Sequence, residues 1–334
     1  MVIIFHTGYH KTASEYLRKK IFSQLHDVLY LDQFYTKNFY RKAFEQAIHK
    51  QPKNSSLLIS EFADYFLKKI KAKKKDIVVV SSVDLISYHG HNDVELNMVQ
   101  LLRLFRYLQD NYDEKIEFKV MMTIRNQKSA LKSFYSFFRN INLRFNTFSK
   151  FIQYGLKNQH EMVFGGYHYD LVLEDMRMLY GSDNVRFFVY EKINKDVKLY
   201  LQDILNFIGT KQNIEQLDYT QKVNVNSDTK KGNRIRGVKY NPIANLILKI
   251  YRYNEQGFTS FKNTTIFKMA RLYVVKSEKK FTKGSLKEIP QELIPDINNM
   301  YRNSNERLSQ MLGIDLEEYG YIGGRLEVKN DKDI

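Results

Sequence analysis

Apolar residues come in short unbroken runs through the first two thirds of the chain, with helical stripes between them. Residues 2–7 (Val-Ile-Ile-Phe-His-Thr) predict a short buried strand that stops at Gly8. From Ser14 to Leu25 the apolar positions Tyr16, Leu17, Ile21, Phe22 and Leu25 fall at helical spacing, which lays one helix face on a sheet. Strand, tight loop and helix in that order form the first unit of a parallel α/β sheet. Amphipathic segments at 38–50 and 56–72 lead to Asp76–Ser82, whose Ile-Val-Val-Val centre suits a strand buried on both faces. A stripe of Val94, Met98, Leu101, Leu102, Phe105 and Leu108 predicts a helix over 93–110. Lys119–Ile124 is the next strand and 127–139 the next helix. Val185–Tyr190 is another strand, and a helix over 196–208 ends at Gly209, a usual C-cap residue.

These elements divide the chain into an α/β core over 1–210, a polar, basic loop over 211–241 that orders on a ligand or stays mobile, and a helical part over 242–334. The last holds helices at 242–282 and 290–312, packed on the core as one domain overall. A chain of 334 residues with 43% hydrophobic content can bury such a core.

Composition narrows the chemistry. With no cysteine, disulfides, thiolate metal sites and a cysteine nucleophile are excluded, and a reducing compartment fits. The apolar start is too short for a signal peptide, and no stretch approaches the roughly 20 apolar residues of a membrane span. The expectation is a soluble, cytoplasmic protein with at most peripheral contact with an anionic membrane. A formal charge of +16 favours an anionic partner: nucleotide, nucleic acid, acidic glycan or anionic membrane surface.

Two segments carry the candidate chemistry. Gly8-Tyr9-His10-Lys11-Thr12-Ala13-Ser14-Glu15 lies between the first strand and the first helix, where backbone N–H groups converge on one spot and a phosphate binds readily. Lys11 adds a full charge, and Thr12 and Ser14 add hydroxyl donors. The segment lacks the second glycine of a Walker A loop, which lowers the kinase and NTPase readings. Further on, Arg125 stands just past a strand end and Ser133 two helical turns later, so a guanidinium fork and a hydroxyl make a cradle for a second phosphate.

Together these segments resemble the two donor-binding elements of the PAPS-dependent sulfotransferases, in bacterial carbohydrate-type form. One is a 5′-phosphosulfate loop G-x-x-K-[TS]-G-[TS]-[TS]. The other is a 3′-phosphate element, matched in full by Arg125-Asn126, six residues, then Ser133. In the first, Ala13 replaces a glycine and Glu15 a hydroxyl residue. Phe187–Ile193, with Tyr190-Glu191, resembles a later family strand. Asn206–Gly209, Tyr301–Asn305 and Tyr319–Tyr321 resemble later family segments.

The resemblance implies a P-loop-like sulfotransferase fold, a parallel sheet flanked by helices with a helical C-terminal part. It also implies transfer of a sulfuryl group from PAPS, leaving PAP, with no metal. His10, Lys11, Thr12, Ala13, Ser14 and Glu15 would hold the 5′ end of the donor, with Lys11 at the leaving oxygen. Arg125 and Ser133 would hold the 3′-phosphate, closed over by Lys230, Lys231, Gly232 and Arg234, and Tyr190 is a further donor-binding residue. The base that takes the acceptor proton is sought after the strand at 77–82, where His89 leads, Asp84 follows and His91 is third; Glu61 is a fourth candidate. A carbohydrate or glycolipid acceptor fits the basic surplus and the tyrosine-rich loops. The alternatives are a P-loop-like nucleotide kinase or NTPase, and a basic nucleic-acid-binding protein. Against the latter, the lysines are scattered and no recognition helix is evident, so no nucleic-acid partner is expected.

Overall fold

The computed structural model describes residues 1–9, 12–32, 63–81 apart from Tyr65, Leu67, Lys69 and Lys71, 91–111, 115–138, 145, 147–220 and 289–325. The predicted segments at 38–50 and 242–282, the first part (56–62) of the segment at 56–72 and most of the 211–241 loop lie outside them. The chain divides into two compact units. The first is Met1–Ala130, Asn158–Asn224 and Pro295–Ile334; the second is Leu131–Lys157 and Val225–Ile294.

The first unit is built on a five-stranded sheet in which every pairing is parallel. Its strands are β1 (Val2–Gly8), β2 (Val28–Asp32), β3 (Ile77–Ser81), β4 (Glu117–Ile124) and β5 (Val185–Val189), in the order β2-β3-β1-β4-β5. A parallel sheet needs cover on both faces, which explains the unbroken apolar runs in β1, β3 and β4. On one face Ile4, Val79, Met121 and Phe188 pack against Leu17, Ile21 and Phe22 of the first helical segment. Tyr200, Leu201, Ile204 and Leu205 complete that layer. On the other face the ring of Phe5 lies 4.9 Å from Phe105, which stacks on Phe118 at 4.0 Å and meets Tyr180 at 5.6 Å.

The helices predicted near 93–110, 127–139, 196–208 and 290–312 are present to within a few residues. After β1 come α1 (Ser14–Tyr16), a π-helical turn over Leu17–Ile21 and a 3₁₀ turn over Phe22–Gln24. Then come α2 (His91–Asp110), α3 (Gln127–Phe138), α4 (Phe148–Lys157), α5 (Met162–Gly166), α6 (Tyr169–Tyr180), α7 (Lys192–Lys195), α8 (Val197–Ile208) and α9 (Ile294–Leu312). Asp196 caps α8, accepting the Leu199 N–H at 2.9 Å, and Gly209 ends it at φ 78°.

Three features depart from the sequence reading. The segment from Ser14 is not one regular helix. The run 148–180, read without elements, holds α4, α5 and α6. And β2 is a strand that the sequence reading leaves out, although Val28-Leu29-Tyr30-Leu31 is itself an apolar run; among the described residues it pairs only with β3, at the sheet edge.

In the first unit α9 is tied to α6. Arg307 reaches Glu174 at 2.8 Å and Asp170 at 3.4 Å, and Ser304 donates to Asp170. Beyond α9 the chain closes a loop over Leu316–Gly324, where the carbonyl of Gly324 accepts the Leu316 N–H at 2.8 Å and the Ser309 hydroxyl at 2.7 Å. The second unit has an aromatic core of its own. Phe151 of α4 lies 5.5 Å from both Tyr135 and Phe145 and 5.9 Å from Phe134. Among the described residues no helix is long and apolar enough to cross a membrane.

Candidate active site

Within the sheet β1 lies between β3 and β4. The connection leaving β1 goes to β2 on one side, and the one leaving β4 goes to β5 on the other. The carboxyl ends of β1 and β4 therefore flank a topological switch point, the usual crevice for a ligand in an open α/β sheet. Gly8 and Thr123 are paired across it, so the turn after Gly8 and the turn at Arg125 leave the sheet side by side.

His10 and Lys11 lie outside the described residues; Tyr9 and Thr12 to Glu15 lie within them. The hydroxyl of Thr12, a buried residue, donates to the Tyr9 carbonyl at 2.6 Å and lies 3.3 Å from the Ser14 hydroxyl. A Cβ on Gly8 would sit 3.1 Å from each of these hydroxyls and 3.2 Å from the Thr123 carbonyl oxygen, so the strand end has room only for glycine without a shift. Ala13 has φ 61° and ψ 6°, the left-handed region where an L side chain costs about 1–2 kcal/mol. The glycine that Ala13 replaces would take this conformation freely. The carboxylate of Glu15 accepts from Lys19 at 2.6 Å, one helical turn on, so its charge is paired.

Arg125 follows β4 directly. Its Nε donates to the Ser129 hydroxyl at 2.8 Å, and its guanidinium carbon lies 4.8 Å from the centre of the Tyr190 ring. Its carbonyl accepts from the Tyr169 hydroxyl at 2.8 Å. Asn126 is the N-cap of α3, its Oδ1 accepting the Ser129 N–H at 3.0 Å. The same residue is held from just beyond β5: Glu191 Oε1 accepts the Asn126 backbone N–H at 3.0 Å and its Nδ2–H at 2.7 Å. The other oxygen of Glu191 accepts from Tyr321 at 3.3 Å. Burial pushes the Glu191 carboxyl above its ordinary range, against the opposing pull of Asn126 and Arg125. Ser133 lies two turns into α3, in the second unit, and is half-buried.

A cluster of buried tyrosines walls this edge of the first unit. Tyr9 and Tyr167 are 5.0 Å apart, Tyr9 and Tyr169 5.4 Å, and the Tyr9 hydroxyl donates to the Gly166 carbonyl. Burial raises the pKa of all three, so their hydroxyls stay protonated at neutral pH.

On the β3 side of β1, His6 is fully buried. Its Nδ1 pairs with the Ser81 hydroxyl at 2.7 Å and its ring meets Phe22 edge-on at 5.1 Å. Burial, helped by the nearby Arg18 charge, lowers its pKa from 6.5 to about 3 and keeps it neutral. The chain leaves Ser81 at the same sheet edge into 82–90. Asp84 and His89 therefore lie outside the described residues, and His91 is the first residue of α2. Glu61, Lys230, Lys231, Gly232 and Arg234 also lie outside them.

The family model described as "Sulfotransferase domain" matches residues 57–311. The chain belongs to the sulfotransferase family. The matched range takes in Arg125, Ser133 and Tyr190 and starts after the Gly8–Glu15 loop. The sulfotransferase is also similar to solved structures. That of a sulfotransferase from Alicyclobacillus acidocaldarius has 14% identity and a TM-score of 0.42, over 68% of this chain and 88% of that one. The sulfotransferase domain of the Synechococcus PCC 7002 olefin synthase has 12% identity and a TM-score of 0.39, over 69% and 82%. Mouse sulfotransferase SULT7A1 complexed with PAP has 16% identity and a TM-score of 0.38, over 64% and 61%. No curated protein matches the chain. The parallel sheet flanked by helices agrees with the fold expected from the sequence.

Sequence reasoning picked out Arg125 and Tyr190 but not the contacts that fix them. Asn126 carried a signal, since Asn is a favoured residue immediately before a helix. The link from Glu191 to Tyr321 spans 130 residues and had none.

Proposed function

We propose that this sulfotransferase moves a sulfuryl group from PAPS to a hydroxyl or amine of an acceptor, which we take to be a carbohydrate or glycolipid. The observation that carries this reading is the pairing of Gly8 with Thr123, which brings the hydroxyl-lined turn and the Arg125 turn to one crevice. A donor with a 5′-phosphosulfate and a 3′-phosphate has anionic groups for both turns. Thr12, Ser14 and the backbone of the first turn, with Lys11 and His10, would face the 5′ end. Arg125, braced by Tyr190, and Ser133 on the helix that follows would take the 3′-phosphate. Lys230, Lys231 and Gly232 would close over it.

In the reaction the acceptor oxygen or nitrogen bonds to sulfur as the bond from sulfur to the 5′-phosphate oxygen breaks. That oxygen keeps the electron pair and leaves as part of PAP, and the acceptor proton goes to a base, His89 first and Asp84 next. Catalysis of this kind rests on position and charge. Lys11 would offset charge growing on the leaving oxygen.

Thermal unfolding with PAP, ATP and single-stranded RNA, each with and without magnesium, tests the donor. PAP should stabilise most, with no need for magnesium. Greater stabilisation by ATP with magnesium, or by RNA, would overturn the reading. A screen with labelled PAPS tests the acceptor, and transfer only to small phenols or amines would remove the carbohydrate.

A further inference from the structure

Arg125 stands on the turn between β4 and α3, and its carbonyl accepts from the Tyr169 hydroxyl at 2.8 Å. Its guanidinium is held by Ser129 and against the Tyr190 ring, and a side chain in a given rotamer is aimed only as well as the backbone that carries it is placed. The backbone here is fixed from outside, by the residue after Tyr190 and by the far end of the chain.

Glu191 spends one carboxylate oxygen on both donors of Asn126, at 3.0 and 2.7 Å, and the other on Tyr321 at 3.3 Å. Asn126 is held again from the C-terminal loop, its Nδ2 lying 3.4 Å from the Tyr319 carbonyl oxygen. That loop is itself anchored: Asn305 donates to the Ile322 carbonyl at 2.9 Å, accepts from the side-chain amide of Gln127, the first residue of α3, at 2.8 Å and donates back to it at 3.3 Å. Glu191 is thus the meeting point of β5, the start of α3 and the C-terminal loop, and what it holds is the peptide next to Arg125.

We propose that Glu191 is a positioning residue for Arg125, acting through Asn126 and tied to the C-terminal loop by Tyr321, so that the guanidinium is set for the 3′-phosphate of the donor. It rests on Arg125 taking that phosphate, as proposed above. The role is geometric. Glutamine can accept both Asn126 bonds through its carbonyl oxygen and meet Tyr321 through its amide, whereas alanine makes none of them. A neutral side chain beside a bound anion also removes a repulsion that the carboxylate brings.

Calorimetric titration of PAP and of 5′-AMP, which lacks the 3′-phosphate, into the full chain and its variants tests this, with unfolding midpoints read alongside. Glu191→Ala should lower PAP affinity about tenfold or more and leave 5′-AMP within about twofold, since hydrogen bonds to a charged group are lost. Glu191→Gln should bind PAP at least as well as the unaltered chain. Should Glu191→Ala not fold, Tyr321→Phe removes a single bond to the same carboxylate and should narrow the preference for PAP over 5′-AMP about threefold. Equal losses for PAP and 5′-AMP, or an unchanged preference in both Glu191→Ala and Tyr321→Phe, would overturn the proposal. If the unaltered chain shows no preference for PAP, the donor reading itself fails and takes this proposal with it.

Discussion

The guanidinium of Arg125 lies 4.8 Å from the centre of the Tyr190 ring, each residue standing one step past the end of neighbouring strands β4 and β5. The backbone joins them as well, since the Tyr190 N–H donates to the Ile124 carbonyl at 2.9 Å. A cation held over an aromatic face at a partly desolvated site gains on the order of 1–2 kcal/mol. Tyr190→Phe keeps the face and should keep PAP affinity within about twofold. Tyr190→Ala should weaken PAP roughly tenfold, as that energy range implies. Equal affinities for the Phe and Ala variants in a titration would show that the ring is not bracing the arginine.

Lys11, three residues beyond Gly8 in the sequence, is the residue proposed above to act on the leaving oxygen. A charge that acts on the leaving oxygen matters most in the transition state. Lys11→Ala should therefore lower kcat by on the order of 10²- to 10³-fold. The KM for PAPS should move far less. A loss confined to KM would assign Lys11 to ground-state binding instead.

Ala13 makes a stability prediction. Its φ of 61° is unfavourable for any residue with a Cβ, and the position is one where glycine is at home. Ala13→Gly should raise the unfolding free energy by up to about 1 kcal/mol, because the relief of strain exceeds the entropy that glycine adds to the unfolded chain. Denaturant melts would show this as a higher midpoint with an unchanged slope. A lower midpoint would mean that the turn carries no strain at Ala13.

Much of the sheet could be read from the chain because β1, β3, β4 and β5 are buried enough to need apolar runs, as Ile3, Ile4, Val78, Val79 and Val120, all fully buried, illustrate. The edge strand β2 escaped although Val28-Leu29-Tyr30-Leu31 is apolar throughout, because so short a run, following directly on a helical stripe, cannot be told from a buried helix segment by periodicity alone. At the site, Arg125 was legible from its spacing to Ser133, whereas Glu191 showed only as half of a Tyr-Glu pair. Its partners Asn126 and Tyr321 lie 65 and 130 residues away, and no periodic pattern marks a contact made by a turn and a tail. Ala13 illustrates the reverse case. A departure from the family pattern was visible in sequence, but its meaning as a left-handed residue needed the backbone.

His6 gives the fold an acid-sensitive point. Its pKa in the folded chain, about 3, is below its ordinary 6.5, so between those values the unfolded chain binds more protons. The stability it contributes is full above pH 6.5 and is lost as pH falls toward 3. From pH 7 to 4.5 this loss should be about 2–3 kcal/mol. His6→Asn removes the titration while keeping a partner for Ser81. It should be less stable than the unaltered chain at pH 7, but should lose less over that span in urea melts. Equal losses would mean that the histidine titrates normally.

Glu191 has the opposite sign. Its carboxyl is raised above the ordinary 4.5, chiefly by burial, so the folded chain binds more protons than the unfolded chain in the window just above that value. Ionising it there costs stability as pH rises through the window, even though Asn126 and Arg125 pull the other way. Glu191→Gln carries no such cost and keeps the hydrogen-bonding shape. Its unfolding midpoint in urea should therefore exceed that of the unaltered chain at pH 7, and the gap should close as the pH is taken to 4 and below. A variant less stable at pH 7, with a deficit that shrinks in acid, would show that the carboxylate charge itself stabilises the turn beside Arg125 and that burial is not the dominant effect.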